Sequence, residues 1–301
     1  DVYKRQTLNA LTVDHGLRSE SAREAAQVAG WCGKLGIAHT ILPWLGEKPG
    51  SGIQEAARKA RYRLLEDWCN ANGCGVLFLG HTMNDQAETF LMRMSRGSGV
   101  DGLAGMPLVS FSDGVRIIRP LLSLSKERLK ATLSSGSVGW IEDPSNTDGR
   151  FSRVAIRRQL DRFERMGISI ASVAGVARIF GQLRVDAEND LRNLADRCVV
   201  LHPTGFADIQ TAKLQDAPEE LKANLISVLL TLVGGRNYRP RRLSLGRLMD
   251  RLNTRGDWTG TLAGCVISLR QGVVRIIREH KAAKHVLPVK PGLAVWDNRF
   301  I

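Results

Sequence analysis

At 301 residues the chain is longer than one ordinary hydrophobic core and suits two domains or three. Its composition, 43 % apolar and 24 % charged, excludes a disordered tail, and no run approaches the ~20 apolar residues of a membrane span. The 43 Lys and Arg outnumber the 30 Asp and Glu by 13, an excess that attracts polyanions, nucleic acid first among them.

Thr7–Asp14 reads as a strand, and Ser21–Leu35 as a helix that Gly36 stops. Ala38–Pro43 is a second strand and Ser51–Asn72 a second helix. Gly75–Leu79 is a wholly apolar run, as expected of a strand buried on both faces. Asn84–Met94 follows as a helix, and the glycine-rich stretch after Arg96 is too irregular for a strand. Val115–Arg119 and Ser125–Leu133 give one more strand and helix. Strands alternating with helices imply right-handed crossovers and an α/β, doubly wound, mostly parallel sheet. Beyond Asp148 come helices over Ser152–Arg165, roughly Ala171–Cys198 and Pro218–Leu232, then two strands over Gly260–Arg278 joined at Gln271–Gly272. Domain boundaries are expected near Gly149 and Gly234–Gly235.

The five cysteines are scattered and contain no Cys-x-x-Cys pair, which argues against a zinc or iron–sulfur site. With no basic-then-apolar leader in this sequence, a cytoplasmic setting away from membranes is the expectation. Arginines concentrate between Arg236 and Lys284, with Arg239, Arg241 and Arg242 close together, a local imbalance that fits phosphate contacts.

Leu79–Gly105 carries the most chemistry. Gly80 ends a strand, and His81 then stands at a carboxyl end, where doubly wound sheets bind ligands. Asp85 and Glu88 are three residues apart on the next helix, close to its start, where the backbone's partial positive charge suits carboxylates. These side chains either converge on one crevice or form an ordinary dipole-friendly helix start beside a surface histidine.

The segment HTMNDQAETFLMRMSRGSGVDGLAGM resembles the one that marks the tRNA(Ile)-lysidine synthetases, in which His-x-x-x-Asp-Gln-x-Glu-Thr precedes an Arg-Gly-Ser/Thr-Gly loop. Thr12–Arg18 (TVDHGLR), Ala57–Tyr62 (ARKARY), Arg119–Leu122 (RPLL) and Trp140–Asn146 (WIEDPSN) are similar to that family in order and spacing. So are Thr261–Cys265 (TLAGC) and Trp296–Phe300 (WDNRF). Two features depart from the pattern. No Ser-Gly-Gly-x-Asp-Ser loop precedes Thr7, and Val154 follows Arg153 where the family has Asn. Such a loop holds pyrophosphate on backbone amides, so the expectation is a chain truncated at both ends with little ligase activity of its own.

The resemblance implies a Rossmann-like N-type ATP pyrophosphatase (PP-loop) domain over residues 1–149, lacking its first strand and loop. A helical tRNA-binding or linker domain over 150–234 and a basic, partial α+β substrate domain over 235–301 would follow. It implies ATP with Mg2+, L-lysine, and tRNA(Ile) with a CAU anticodon as partners; a homodimer stays open. The implied reaction transfers AMP to the 2-carbonyl oxygen of the wobble cytidine, after which lysine's amine displaces AMP. Arg61 and Arg153 are the candidates to offset transition-state charge. Asp85 and Glu88 are candidates to hold the lysine, and a carboxylate or His81 to take its proton. Asp14, His15, Gly16 and Gly80 are expected around the nucleotide, although His15 reads equally as a turn residue. Arg157, Arg158, Arg239, Arg241 and Arg242 are expected on tRNA. Two alternatives remain: a 2-thiolating relative, which needs paired cysteines, and a basic RNA-binding module that would need no His81, Asp85 and Glu88 together.

Overall fold

The computed structural model describes residues 7–142, 152–236, 238–254 and 256–283. Asp143–Asn146, Arg255, Lys284 and the WDNRF segment therefore lie outside the described residues, as does the side chain of Arg153. The chain forms two compact units, Asp1–Gln182 and Leu183–Ile301.

In the first unit β1 (Asn9–Asp14) pairs in parallel with β2 (Ala38–Pro43), and α1 (Ser21–Lys34) makes the crossover. A second sheet has the order β3 (Val76–Phe78), β5 (Val115–Ile118), β4 (Val109–Ser112), with β3 parallel and β4 antiparallel to β5. α2 (Ile53–Ala71) packs on β1, β3 and β5. Leu65 and Cys69 of α2 meet Leu77, Val115 and Ile117 there, and Leu11, Val13 and Leu42 pack against them, so one apolar cluster underlies both sheets.

β3 departs from the expectation of a strand buried on both faces. Leu77 is 7 % exposed, but Val76 and Phe78 are 45 % and 59 % exposed. Alternation turns Leu77 into the cluster under α2 and its two neighbours away from it.

α3 (Met83–Met94) packs on α6 (Ser152–Arg165). Ala87, Phe90 and Leu91 of α3, Leu160 of α6, and Val173 and Ala177 of α7 (Ile170–Cys198) form a second cluster. The glycine-rich stretch contains one helical turn, α4 (Val100–Leu103), and α5 (Lys126–Ser135) follows β5. α3 ties that stretch down: the Gln86 amide donates to the Met106 carbonyl and accepts from the Met106 N–H, both at 2.7 Å. Arg93 donates to the carbonyls of Gly102 at 2.7 Å and Gly105 at 3.2 Å. Gly105 has φ +65°, and a Cβ there would stand 2.6 Å from Gln86 Oε1.

The second unit is built on an antiparallel sheet ordered β6 (Val199–Leu201), β7 (Ala207–Gln210), β10 (Val273–Arg278), β9 (Cys265–Arg270), β8 (Trp258–Leu262). Ile209, Ile267, Val274 and Ile276 of the sheet meet Leu225, Ile226 and Leu230 of α8 (Glu219–Val233) and Leu248 of α9 (Arg242–Leu252). The sequence suggested two strands over Gly260–Arg278, and the structure has three. Ala263–Gly264 repeats the Gln271–Gly272 turn, with positive φ at all four residues (56°, 78°, 49° and 76°), the backbone of a two-residue hairpin loop. No single helix among the described residues is long and apolar enough to cross a membrane.

Candidate active site

His15 directly follows β1, and His81 follows β3 after Gly80. Arg61 on α2 acts on both imidazoles, so the carboxyl ends of the two strands open around one guanidinium. Arg61, Gly80, His81 and Asp85 line a common cavity of about 840 Å3 that continues between β1 and β3.

Burial, more than any charge, pushes the His81 pKa down to about 4; Asp85 pulls it upward, and Arg61, Arg119 and Arg58 push it further down. The ring is therefore neutral at pH 7 and can accept a proton or a hydrogen bond. Its Nδ1 is buried without a hydrogen-bond partner among the described residues, as is His15 Nδ1. Burial and then Arg61 likewise lower the His15 pKa. The His15 ring meets Trp44 edge-on at 6.0 Å, and Lys48 Nζ stands 4.1 Å from the Trp44 ring centroid. The Asp14 carboxylate accepts from the Gly16 N–H at 2.9 Å, and hydrogen bonds from Ser21 and Gly16 hold its pKa below the usual range. Gly16 has φ +58°, which makes this tight turn after the strand possible.

α3 begins with a capping box. Asp85 Oδ2 accepts from the Thr82 N–H and hydroxyl, both at 2.8 Å, and Thr82 Oγ1 accepts from the Asp85 N–H at 3.4 Å. Asp85 is thus fixed at the cavity wall while its charge faces His81. Glu88, 3 % exposed, turns instead toward α6, where Arg157 Nε donates to its Oε1 at 2.5 Å and Nη2 lies 3.4 Å from its Oε2. A second cavity of about 470 Å3 opens there, lined by Asn84, Glu88, Lys126, Arg157, Arg158 and Asp161 among others.

The placements sort the expected residues. His81, Asp85, Arg61 and Gly80 share one cavity, and Asp14, His15 and Gly16 form the turn after β1, with His15 within Arg61's influence. Glu88 lies at the neighbouring cavity, joined to Arg157, which sequence had assigned to RNA. Arg158 is exposed on α6, and Arg153 lies in the first turn of that helix. In the second unit Arg239, Arg241 and Arg242 are exposed around the start of α9. Arg239 donates to Asn224 Oδ1 at 2.8 Å, and Arg242 stands 3.9 Å from Glu220.

Residues 2–163 match the PP-loop domain family. The tRNA(Ile)-lysidine synthase of Ruegeria pomeroyi is 38 % identical over 96 % of this chain and 68 % of its own length. That of Wolbachia pipientis wMel is 35 % identical over 97 % of this chain and 68 % of its own. The chain belongs to the tRNA(Ile)-lysidine synthase family. The Methylobacterium nodulans member is 38 % identical over 89 % of this chain and 81 % of its own. Among solved structures, the U34-tRNA thiolase NcsA from Methanococcus maripaludis, with its [4Fe-4S] cluster, superposes at a TM-score of 0.51. It covers 60 % of this chain and 64 % of the thiolase at 19 % identity, a likeness of fold alone.

Within this family member, sequence reasoning missed two groups near the histidines. Arg119 is 6 % exposed and donates to the Pro107 carbonyl and Ser110 Oγ, each at 3.0 Å, while its charge acts on His81. The RPLL motif had marked the segment but not this role. Trp44 and Lys48 carried no signal, because a lone aromatic followed by a lysine is common on any surface.

Proposed function

We propose that this chain carries out ATP-dependent ligation of L-lysine to the wobble cytidine of tRNA(Ile) with a CAU anticodon, through an adenylated cytidine. The observation that carries the reading is a half-buried His81 that shares one cavity with Asp85 and Arg61 at the strand ends. In the first step the cytidine 2-carbonyl oxygen attacks the α-phosphorus of ATP and diphosphate leaves. Arg61 and Arg153 offset the negative charge that builds there. In the second, the lysine amine attacks carbon 2 and AMP leaves; His81 or Asp85 takes the amine's proton. The lysine cation is held by a carboxylate, Asp85 on one cavity or Glu88 on the other.

ATP would sit at the turn after β1, where Gly16 lets the chain double back and His15 Nδ1 is buried without a hydrogen-bond partner among the described residues. Magnesium would neutralise phosphate charge. The ion would be carried on the ATP phosphates. tRNA would lie on Arg158 and on the basic start of α9, residues 150–234 and 235–301 serving recognition in a soluble, cytoplasmic enzyme.

A sulfur-transfer reading is disfavoured. The five cysteines include no Cys-x-x-Cys pair for sulfur transfer, and burial raises the pKa of Cys69 and Cys198. The test is incorporation of labelled lysine into a CAU-anticodon tRNA(Ile) transcript, with and without ATP. It compares this chain with a version carrying a Ser-Gly-Gly-x-Asp-Ser strand ahead of Thr7. Label that requires ATP and is lost in His81→Ala supports ligation; no label in either version overturns it.

A further inference from the structure

Among the described residues, five helices of the first unit close in the same way. The N–H five residues past a last-turn residue returns to that residue's carbonyl. Ile37 donates to Cys32 after α1 at 2.9 Å, Cys74 to Cys69 after α2 at 2.8 Å, and Ser98 to Arg93 after α3 at 3.0 Å. Val138 donates to Leu133 after α5 at 2.9 Å, and Ile168 to Phe163 after α6 at 2.8 Å. Each closing turn passes through a residue of positive φ: Gly36, Gly73, Gly97, Ser137 and Gly167. The motif brings together the side chains of the two bonded residues, ordinarily as an apolar contact. Leu with Val and Phe with Ile hold those positions in α5 and α6. Of the five, α2 alone has a thiol at both.

The geometry suits a bond between those two sulfurs. The 2.8 Å hydrogen bond and the standard bond lengths on either side of it hold the two Cα atoms within about 6.7 Å. Disulfides span about 4.4–6.8 Å between Cα atoms. Cys69 is buried in the cluster with Leu77 and Ile117, whereas Cys74 is partly exposed and leads through Gly75 into β3. Burial first, and then the Cys74 thiol beside it, push the Cys69 pKa up. Cys69 is thereby kept as a thiol, and Cys74 is the sulfur that a small oxidant meets first.

We propose that Cys69 and Cys74 form a two-thiol modification site, which hydrogen peroxide converts to a disulfide. The Cys74 sulfur, as thiolate, attacks one peroxide oxygen and the O–O bond breaks. The departing hydroxide takes a proton and leaves as water, and Cys74 becomes a sulfenic acid. The Cys69 sulfur then attacks the sulfenic sulfur; the S–O bond breaks, and hydroxide leaves as water with the Cys69 proton. The two thiols lose two electrons in all, and one peroxide is reduced to two waters. The new bond staples the last turn of α2 to the entry of β3, the elements that carry Arg61 and lead to His81. This inference does not depend on the ligation reading.

The test is a hydrogen peroxide titration of the folded, reduced chain, stopped with catalase, alkylated with N-ethylmaleimide in denaturant and digested with trypsin. Both cysteines fall in the tryptic peptide 64–93, which also contains Met83 and Met92 as internal gauges of dose. The peptide should become two hydrogens lighter and take no maleimide, and dithiothreitol before alkylation should restore two maleimides. In Cys69→Ala the Cys74 sulfenic acid has no resolving thiol and should be captured by dimedone. In Cys74→Ser the buried Cys69 should lose its thiol about tenfold or more slowly than in the parent. A peptide that still takes two maleimides after Met83 and Met92 have gained oxygen overturns the proposal. So does Cys74 driven to sulfinic acid while Cys69 stays alkylated, and so does a disulfide from either cysteine to another peptide or a second chain.

Discussion

His81 stands where burial and neighbouring charge oppose each other, and its proton couples to folding. Its pKa falls from 6.5 to about 4 in the folded protein, so as pH drops the unfolded chain protonates first. Stability is complete above pH 6.5 and is lost progressively between 6.5 and about 4, by at most about 3 kcal/mol, less for a ring reached by solvent. Urea titrations at pH 7.5, 5.5 and 4.5 should show the parent losing more stability on acidification than His81→Gln, which has no proton to gain. The Glu88–Arg157 pair gives a second expectation. Glu88 has a 4 % exposed side chain and Arg157 a 26 % exposed one. Arg157→Ala should cost about 2–4 kcal/mol by stranding a buried carboxylate, and adding Glu88→Gln to it should recover part of that loss. Thermal melts of the two variants beside the parent decide it; equal melts for single variant and parent would make the pair an exposed, weak one.

Gly105 governs how the glycine-rich stretch is held to α3. Gly105→Ala must bear a left-handed backbone and displace the Gln86 amide, whose two hydrogen bonds to Met106 are then lost. The expected cost is about 2–3 kcal/mol, measured by urea unfolding, with faster exchange at the Met106 amide. Helices and strands of this first unit were legible wherever period and punctuation agreed, as at Ala38–Pro43, where the expected and observed bounds coincide. β4 escaped because its four residues VSFS carry neither length nor apolar alternation. α9 escaped because its arginines drew attention as a charge run, while Leu245, Leu248, Met249 and Leu252 formed the buried stripe. The third strand of the final meander escaped because its turn is Ala-Gly, without the asparagine or aspartate that usually marks such loops. The site was legible to the extent that it sits on one segment: His81 and Asp85 follow from a strand end and a helix start. The Glu88–Arg157 pairing was not legible, since nothing local relates residues separated by a whole α/β excursion.

At the scale of the whole molecule the excess of 13 positive charges makes association with RNA a question of ionic strength. If six or more phosphates are contacted on duplex-like RNA, affinity should fall roughly 10³-fold or more between 50 and 200 mM salt. Replacing Arg239, Arg241 and Arg242 by alanine should weaken binding and flatten the salt slope by up to about one per lost contact. Asp85→Asn should leave both nearly unchanged. Filter binding of labelled tRNA at several salt concentrations reads all three; a triple variant that binds like the parent would move the RNA contacts to α6, around Arg158.

The order of strands in the second unit also sets an order in time. β8, β9 and β10 are joined by two tight turns and can zip from neighbours in sequence, as can β6 and β7. The two pieces meet only where Ala207–Gln210 pairs with Val273–Ile276, across the whole of α8 and α9. Closing that long loop costs entropy before any contact rewards it, so the β7–β10 seam is the late event of folding. Pulse-labelled refolding should protect amides of Ile267 and Leu269 ahead of Ile209. Until the seam closes, the apolar residues of α8 have only half a sheet to cover them, which makes this interval the one in which the chain is most exposed to aggregation.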